Sequence, residues 1–543
     1  MNNEDTPTGA TRRDDDDAAA DHEVDHEVDH DVAVDVDELE VLIVGGGISG
    51  LGAARALLRA GVSSLAILER APAIGGVWRD NTYPGVAVDI PVAAYCFRDA
   101  APFSWTRVFA PGDEILRYLQ GLARDEALAS FIKTGVTVER AVYQAAIARW
   151  ELFCSDGRRR RARFLVAATG LFTTPVLPDI PGREAFLGAV FHSSRWDHGV
   201  SLDGRRVAVI GTGASAVQIV PSIAARVRAL HVFQRTPAWV APRLDRPLSQ
   251  TSLPREWQRR LERAIVDVGI AVLTGAATSY QRFPWAVHAV QRLVRAWMAR
   301  QVTDPTMRAA LLPSYTLGCK RPASSNTYLA TFNQPHVSLV TAPIRCIDEN
   351  GLVLNTGDRV DVDVIVMATG FLTTERGTGP AFTVVGENGQ SLDDVFDADR
   401  LQSYRGVAVP GFPNFFLTSG PYAGGFNWFD ALEDCVAQLV ACVREARGRG
   451  AEVVEVDPAA HHAWMAEMWR AADGTVFRSA DCTTAHSYYL DRHGDASLPL
   501  PHTPWWRRRQ LRGGLTQGFA FSRVGAVETH GRHAVAPLRA PER

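Results

Sequence analysis

The chain has 543 residues, 46% of them hydrophobic and 22% charged, which excludes a disordered chain, a collagen-like repeat and a small disulfide scaffold. Its formal charge of −4 is uneven: residues 1–36 hold a large acidic excess and the rest is mildly basic, a balance that excludes a nucleic-acid-binding field but suits anionic cofactors. Seven cysteines without a CxxC pair read as reduced thiols rather than a disulfide framework.

Residues 1–36 combine an Asp run with the near-repeat His22-Glu23-Val24-Asp25, His26-Glu27-Val28-Asp29, His30-Asp31. Such a segment cannot bury a core and reads as a disordered acidic tail, its histidines solvated, with no metal site assigned. The acidic start lacks the basic and apolar regions of a signal peptide. The longest apolar stretch, Ala264–Ala277, contains Asp267 and is too short to span a bilayer. A cytoplasmic protein without a membrane span is expected.

Order begins at Leu39–Val44, an apolar run with the look of a buried parallel strand. It enters the turn Gly45-Gly46-Gly47-Ile48-Ser49-Gly50, continues as a helical pattern over Leu51–Ala60, and returns as a strand, Leu65–Leu68, ending at Glu69. A second unit of the same kind runs from Arg206–Ile210 through Gly211-Thr212-Gly213-Ala214-Ser215-Ala216 and a helix over Val217–Ala225 to Leu230–Phe233. From Pro242 to Leu312 the pattern is helical and rich in Arg and Trp. Phe164–Gly170 and Val362–Gly370 both end in Ala-Thr-Gly and read as crossings between domains. The tail after Arg508 has weak periodicity and stays unassigned.

Gly45-x-Gly47-x-x-Gly50 follows a strand, opens a helix and precedes the acid Glu69, the context that makes a glycine turn a dinucleotide fingerprint. The glycines, with Ser49, admit a pyrophosphate to the helix N-terminus, and Glu69 accepts hydrogen bonds from a ribose hydroxyl. Gly211-x-Gly213-x-x-Ala216 has Arg235, not an acid, after its second strand. A guanidinium there pairs with a 2′-phosphate, which a carboxylate would repel. The two turns together imply FAD and NADPH.

The fold class expected is therefore α/β, with two Rossmann-like dinucleotide-binding domains, a helical insertion and the acidic tail. The boundaries read as 1–36 for the tail, 37–182 and 370–543 for the FAD-binding domain with the C-terminal tail, 183–241 and 313–369 for the NADPH-binding domain, and 242–312 for the insertion.

Gly76-Val77-Trp78, Tyr83-Pro84-Gly85 and Asp89 resemble the long fingerprint of type I Baeyer–Villiger monooxygenases. Phe186-x-Gly188-x-x-x-His192-x-x-x-Trp196-Asp197 is similar to their second fingerprint, and Phe233–Pro237 and Gly318–Pro322 are also typical. The resemblance covers about Leu39 to Asn427. It implies that Trp78 and Tyr95 lie along the flavin, that Val77 and Asp89 are also cofactor-binding, and that Arg235, Thr236 and Lys320 hold the NADP 2′-phosphate. It also implies that Arg321, set in place by Asp89, stabilises the anionic flavin peroxide and the oxyanion formed on attack at a ketone. Lys320 stands out independently: the chain has only two lysines, Lys133 and Lys320, among 57 basic residues. The resemblance also places His192 and Trp196 on a connection between domains, where a hydrogen-bonded loop histidine is as good a reading as a coupling role, so His192 is not taken as catalytic. One departure concerns the Trp that the family uses to contact the nicotinamide nucleotide: here Tyr488 of Ser487-Tyr488-Tyr489 stands in its place.

The function expected is a flavin monooxygenase that uses NADPH and O2 to insert an oxygen next to a ketone carbonyl, giving an ester or lactone, with no protein partner inferred. The alternative is an N- or S-hydroxylating flavin monooxygenase. A disulfide reductase would need a redox Cys pair close in sequence, which is absent. A flavoprotein that only senses nucleotide is opposed by the full set of cofactor positions.

Overall fold

The structure, a computed structural model, describes residues 37–248, 256–425 and 427–524. The expectations for the acidic tail and for His22, His26 and His30 concern residues outside these.

Strand β1 (Asp37–Val44) carries the apolar run, and Val41, Leu42 and Ile43 are fully buried. Its alternating side chains feed two layers. Val41 and Ile43 pack among helical residues such as Leu51, Leu57 and Leu439, whereas Leu42 and Val44 pack among Ala141, Leu152 and Phe415. This is why the run is continuously apolar rather than alternating. Helix α1 (Ile48–Arg59) leads to β2 (Leu65–Glu69), which pairs parallel with β1, Leu42 opposite Ala66. Strand Arg159–Ala167 is parallel to β1 on the other side. The sheet runs 383–385, 138–144, 149–154, 159–167, β1, β2, 132–134, and Phe415–Leu417 also pairs with 159–167.

The unit recurs as β3 (Arg206–Ile210), α2 (Ala214–Ile223) and β4 (Ala229–Phe233). These strands sit inside a five-stranded parallel sheet ordered 337–340, β4, β3, 364–367, 189–192. The two units are closed the same way. Ala168 N–H donates to Val44 O and Ala368 N–H to Ile210 O, both at 2.9 Å. A Cβ on Gly45 (φ +114°) would lie 2.4 Å from Ala168 O, and one on Gly211 (φ +120°) would lie 2.3 Å from Ala368 O. Each Ala-Thr-Gly segment is thus the stop against which a glycine turn is pressed.

Helices α3 (Glu256–Thr278) and α4 (Pro284–Gln301) follow β4, then a short helix over Pro305–Leu311 capped by the Asp304 carboxylate. Among the described residues the helical pattern expected from Pro242 is met from Glu256 onward. Residues 242–246 form no regular element, and Pro247 pairs with Arg107 in an isolated bridge. Helix α5 (Trp428–Arg449) packs on α1. The tail left unassigned contains α6 (Pro504–Arg512) and a strand, Phe519–Ser522, antiparallel to Val453–Val456. Gly513 and Gly514 break its periodicity. Among the described residues no helix is long and apolar enough to cross a membrane.

One sequence expectation is overturned. Cys319 and Cys482, 163 residues apart, form a disulfide, with Cα atoms 5.0 Å apart; the other five cysteines are not disulfide-bonded. No local motif marks this pair, because the fold alone brings the two chain segments together. The Asp481 carboxylate reinforces the junction by accepting from the Thr316 N–H and hydroxyl, both at 2.7 Å.

Candidate active site

Both glycine turns open onto one cavity of about 1330 Å³. At the first turn Glu69, almost fully buried at the end of β2, accepts from the backbone N–H of Gly46 (2.7 Å) and of Ala71 (2.9 Å) and from Arg79 Nη1 (3.1 Å). The carboxylate is therefore held in place before any ligand arrives. Gly50 is demanded by the chain itself, since a Cβ there would lie 1.8 Å from Gly45 O. Gly47 is different: a Cβ would meet only Gly76, 3.7 Å away. Ser49 is buried, its hydroxyl accepting from Trp428 Nε1 at 3.3 Å.

At the second turn Ala216 is buried in the core. A Cβ on Gly213 would touch nothing within 4 Å, so that face of the turn is open to the cavity. Thr212 donates its hydroxyl to Thr236 O at 2.7 Å, tying the turn to the Arg235–Thr236 segment. Lys320 and Arg235 approach one another with no carboxylate partner among the described residues. Burial, and then the Arg235 charge, pushes the Lys320 ammonium down to about 8. His486 joins them: burial and these same two cations lower its pKa. Three basic groups facing one another define a place for an anion.

Between the turns stand Arg321 and Asp89, 232 residues apart in sequence. Arg321 Nε donates to one Asp89 oxygen at 2.7 Å and Nη2 to the other at 3.0 Å, a two-pronged pair. Burial alone would raise the Asp89 carboxyl, but the charge and hydrogen bonds of Arg321 hold it below its ordinary value. Burial likewise works against the Arg321 charge, and Asp89 more than restores it. Tyr488 and Tyr489 lie in the field of Arg321. Trp78 Nε1 donates to the Tyr95 hydroxyl at 3.1 Å, their rings meeting edge to face. Val77 opens the four-residue helix Val77–Asp80 just after Gly76 (φ +54°).

The Tyr83-Pro84-Gly85 turn is seated on α2. Tyr83 donates to Gln218 Oε1 at 3.1 Å, and Gln218 Nε2 donates to Ala87 O at 3.0 Å. Gly85 (φ +84°) leaves no room for a Cβ, which would lie 2.8 Å from Gln218 O.

His192 has both ring nitrogens engaged. Nδ1 accepts from the Ser194 N–H at 3.1 Å, and Nε2 lies 3.1 Å from Gly370 O. Burial lowers its pKa, and its place is that of a neutral, hydrogen-bonded residue at the crossing.

Two residues of the site escaped the sequence reading. His486 carried no motif. Asn427, a residue of the cavity wall, caps α5 through its Oδ1 (3.1 Å from Phe429 N), while its buried Nδ2 has no partner among the described residues. The Asn-plus-long-helix pattern announces a cap; nothing in it shows where the second half of the amide points.

Residues 38–253 match the family model described as flavin-binding monooxygenase-like. A Baeyer–Villiger monooxygenase of Streptomyces coelicolor is 36% identical over 88% of this chain and 91% of its own. A steroid monooxygenase structure bound to NADP superposes with a TM-score of 0.80 at 28% identity, covering 90% of this chain and all of the other. A structure of OTEMO complexed with FAD and NADP does so with a TM-score of 0.78 at 25% identity, covering 89% of this chain and 99% of the other. Identity sustained over nearly the full length of both chains, on top of a shared fold, settles the relationship: this chain belongs to the type I Baeyer–Villiger monooxygenase family.

Proposed function

We propose that the protein is an FAD- and NADPH-dependent Baeyer–Villiger monooxygenase, in which β1–α1–β2 with its sheet holds FAD and β3–α2–β4 with its sheet holds NADPH. The observation that carries this reading is the Asp89–Arg321 pair in the wall of the cavity that both glycine turns share.

The residues fit both cofactors. Gly47 and Gly213 leave open the space that a pyrophosphate backbone needs at a helix N-terminus. Glu69 presents a fixed acceptor to an unphosphorylated ribose. Arg235, Lys320 and Thr236, with His486 beside them, suit a 2′-phosphate and set the preference for NADPH over NADH. Asn427 Nδ2 offers a buried donor to a polar edge of the flavin ring, and Trp78 and Tyr95 wall that ring.

FAD, reduced by NADPH, supplies the oxygen-transfer chemistry with O2. The protein supplies charge and position. Arg321 keeps its cation at every working pH, so an oxyanion developing on the substrate carbonyl always meets a charge that needs no reorganisation. Asp89 occupies one side of the guanidinium and fixes its plane, so the charge is held at one place in the cavity wall. Ile270, Phe477, Tyr489, Leu490 and Leu500 in the cavity wall meet the unreactive part of an apolar ketone and exclude water.

The test is product analysis with NADPH, O2 and a panel of cyclic, linear and steroidal ketones, on wild type and Arg321→Ala. The variant should stay yellow with FAD and still oxidise NADPH, yet ester or lactone formation should fall about 10²–10³-fold, the usual cost of one lost oxyanion contact. A wild type that oxygenates only amines and sulfides, or a variant that oxygenates ketones normally, would move the protein to the N- or S-hydroxylating class.

A further inference from the structure

Helix α3 is amphipathic the wrong way round. Leu261, Ile265, Val268 and Val272 form a stripe at spacings of four, three and four residues, and each is more than half exposed. The helix turns ions inward instead. Arg263, 9% exposed, reaches Asp430 at 3.0 Å, and Asp267 is shared between Arg263 (3.9 Å) and Arg98 (3.4 Å). A solvated helix would gain by the reverse arrangement, so the stripe is built to meet something.

The surroundings say what. Helix α6 lies alongside: a Cβ built on Gly275 of α3 would lie 3.8 Å from the side chain of Thr503, which caps α6, and Arg508 reaches Asp430 at 3.3 Å, the same carboxylate that Arg263 holds. On its outer side α6 exposes Trp505, with the Arg509 guanidinium 5.9 Å from the indole centre. At the other border the chain passes exposed Arg282 and Phe283 into α4, where Trp285 is 70% exposed. Among the described residues of this face Glu262 is turned to Arg246 at 3.4 Å, and Asp267, 22% exposed, is held between Arg263 and Arg98. The face is therefore an apolar stripe bordered by tryptophans and arginines, in which the acids Glu262 and Asp267 are each ion-paired.

We propose that α3 and α6 form a docking surface for an anionic phospholipid bilayer, with α3 lying in the plane of the interface. Aliphatic side chains enter the acyl boundary, tryptophans sit at the headgroup level, and arginines pair with lipid phosphates. A second copy of the chain fits less well, because a twofold contact would set this face's arginines against themselves. The cavity is continuous with the surface: Ile270, Thr274 and Ala277 on the inner side of α3, and His502 and Pro504 at the start of α6, line it. Docking so places the cavity one helix diameter from the lipid, about 10 Å. Delivery of an apolar ketone by that route rests on the proposed activity, whereas docking itself does not.

The full-length holoenzyme is tested by co-sedimentation with vesicles of phosphatidylcholine alone and of phosphatidylcholine with phosphatidylglycerol, at low and high salt. Wild type should pellet with the anionic vesicles, roughly tenfold less with the neutral ones, and be released by high salt. The double variant Ile265→Glu, Val268→Glu should lose roughly tenfold or more of that binding. Its NADPH-dependent turnover of a water-soluble ketone should stay within about twofold, since both side chains point away from the cavity. Wild type left in the supernatant with both vesicles, or a variant that binds equally well, overturns the proposal. So does a dimer by light scattering that the variant splits, which would make the face a self-interface.

Discussion

Lys320 shows how much one side chain can say about a ligand. An ammonium held down to about 8 by burial and a neighbouring guanidinium is costly unless something negative repays it. The sign follows: Lys320 is charged below pH 8 and loses its proton above it, so NADPH binding above pH 8 must recover that proton. The KM for NADPH should therefore rise with pH above 8, by at most about tenfold per pH unit. Lys320→Arg, which cannot titrate, should flatten that rise, and steady-state kinetics across pH 6.5–9.5 would show it. A flat wild-type profile would remove Lys320 from the phosphate site. At this scale the sequence was readable where residue type alone carries meaning, as with Glu69 against Arg235 or a Lys in an Arg-biased chain. It was not readable for His486 and Asn427, whose roles come from what lies opposite them in space.

The βαβ elements were legible because a parallel strand buried on both faces has no choice but to be apolar, and a glycine turn has no choice but to follow it. Their ends were less so. The helices begin at Ile48 and Ala214, earlier than the apolar pattern suggests, because their first residues, Ile48-Ser49-Gly50 and Ala214-Ser215-Ala216, belong to the glycine turns in front of the cavity. The two kinds of glycine in these turns separate fold from binding. Gly211→Ala forces a left-handed φ costing about 1–3 kcal/mol and drives a Cβ into Ala368 O, so thermal unfolding should show a clear loss of stability. Gly213→Ala meets no protein atom and should leave the melting temperature in place while raising the KM for NADPH severalfold. Equal melting losses in the two variants would mean that the space at Gly213 is not the cofactor's.

Over the whole molecule, the long-range joins were what the sequence withheld. The Cys319–Cys482 disulfide, the Tyr83–Gln218 contact and the outward stripe on α3 depend on segments meeting that have no local relation. The disulfide draws together the loop that carries Lys320 and Arg321 and the segment that leads to His486 and Tyr488, so two parts of the candidate site share one covalent anchor. Neither Cys319 nor Cys482 lines the cavity, and the pair is structural in its placement. The scarcity of lysine has a practical side as well. With Lys133 exposed on an edge strand and Lys320 in the cavity, an amine-directed reagent has only two side chains to choose between, and near neutral pH it favours the one more readily deprotonated. Such labelling should mark Lys320 first, and saturating NADP+ should protect it, with peptide mass mapping as the readout. Lys320 would then serve as a chemical tag for the proposed nucleotide pocket.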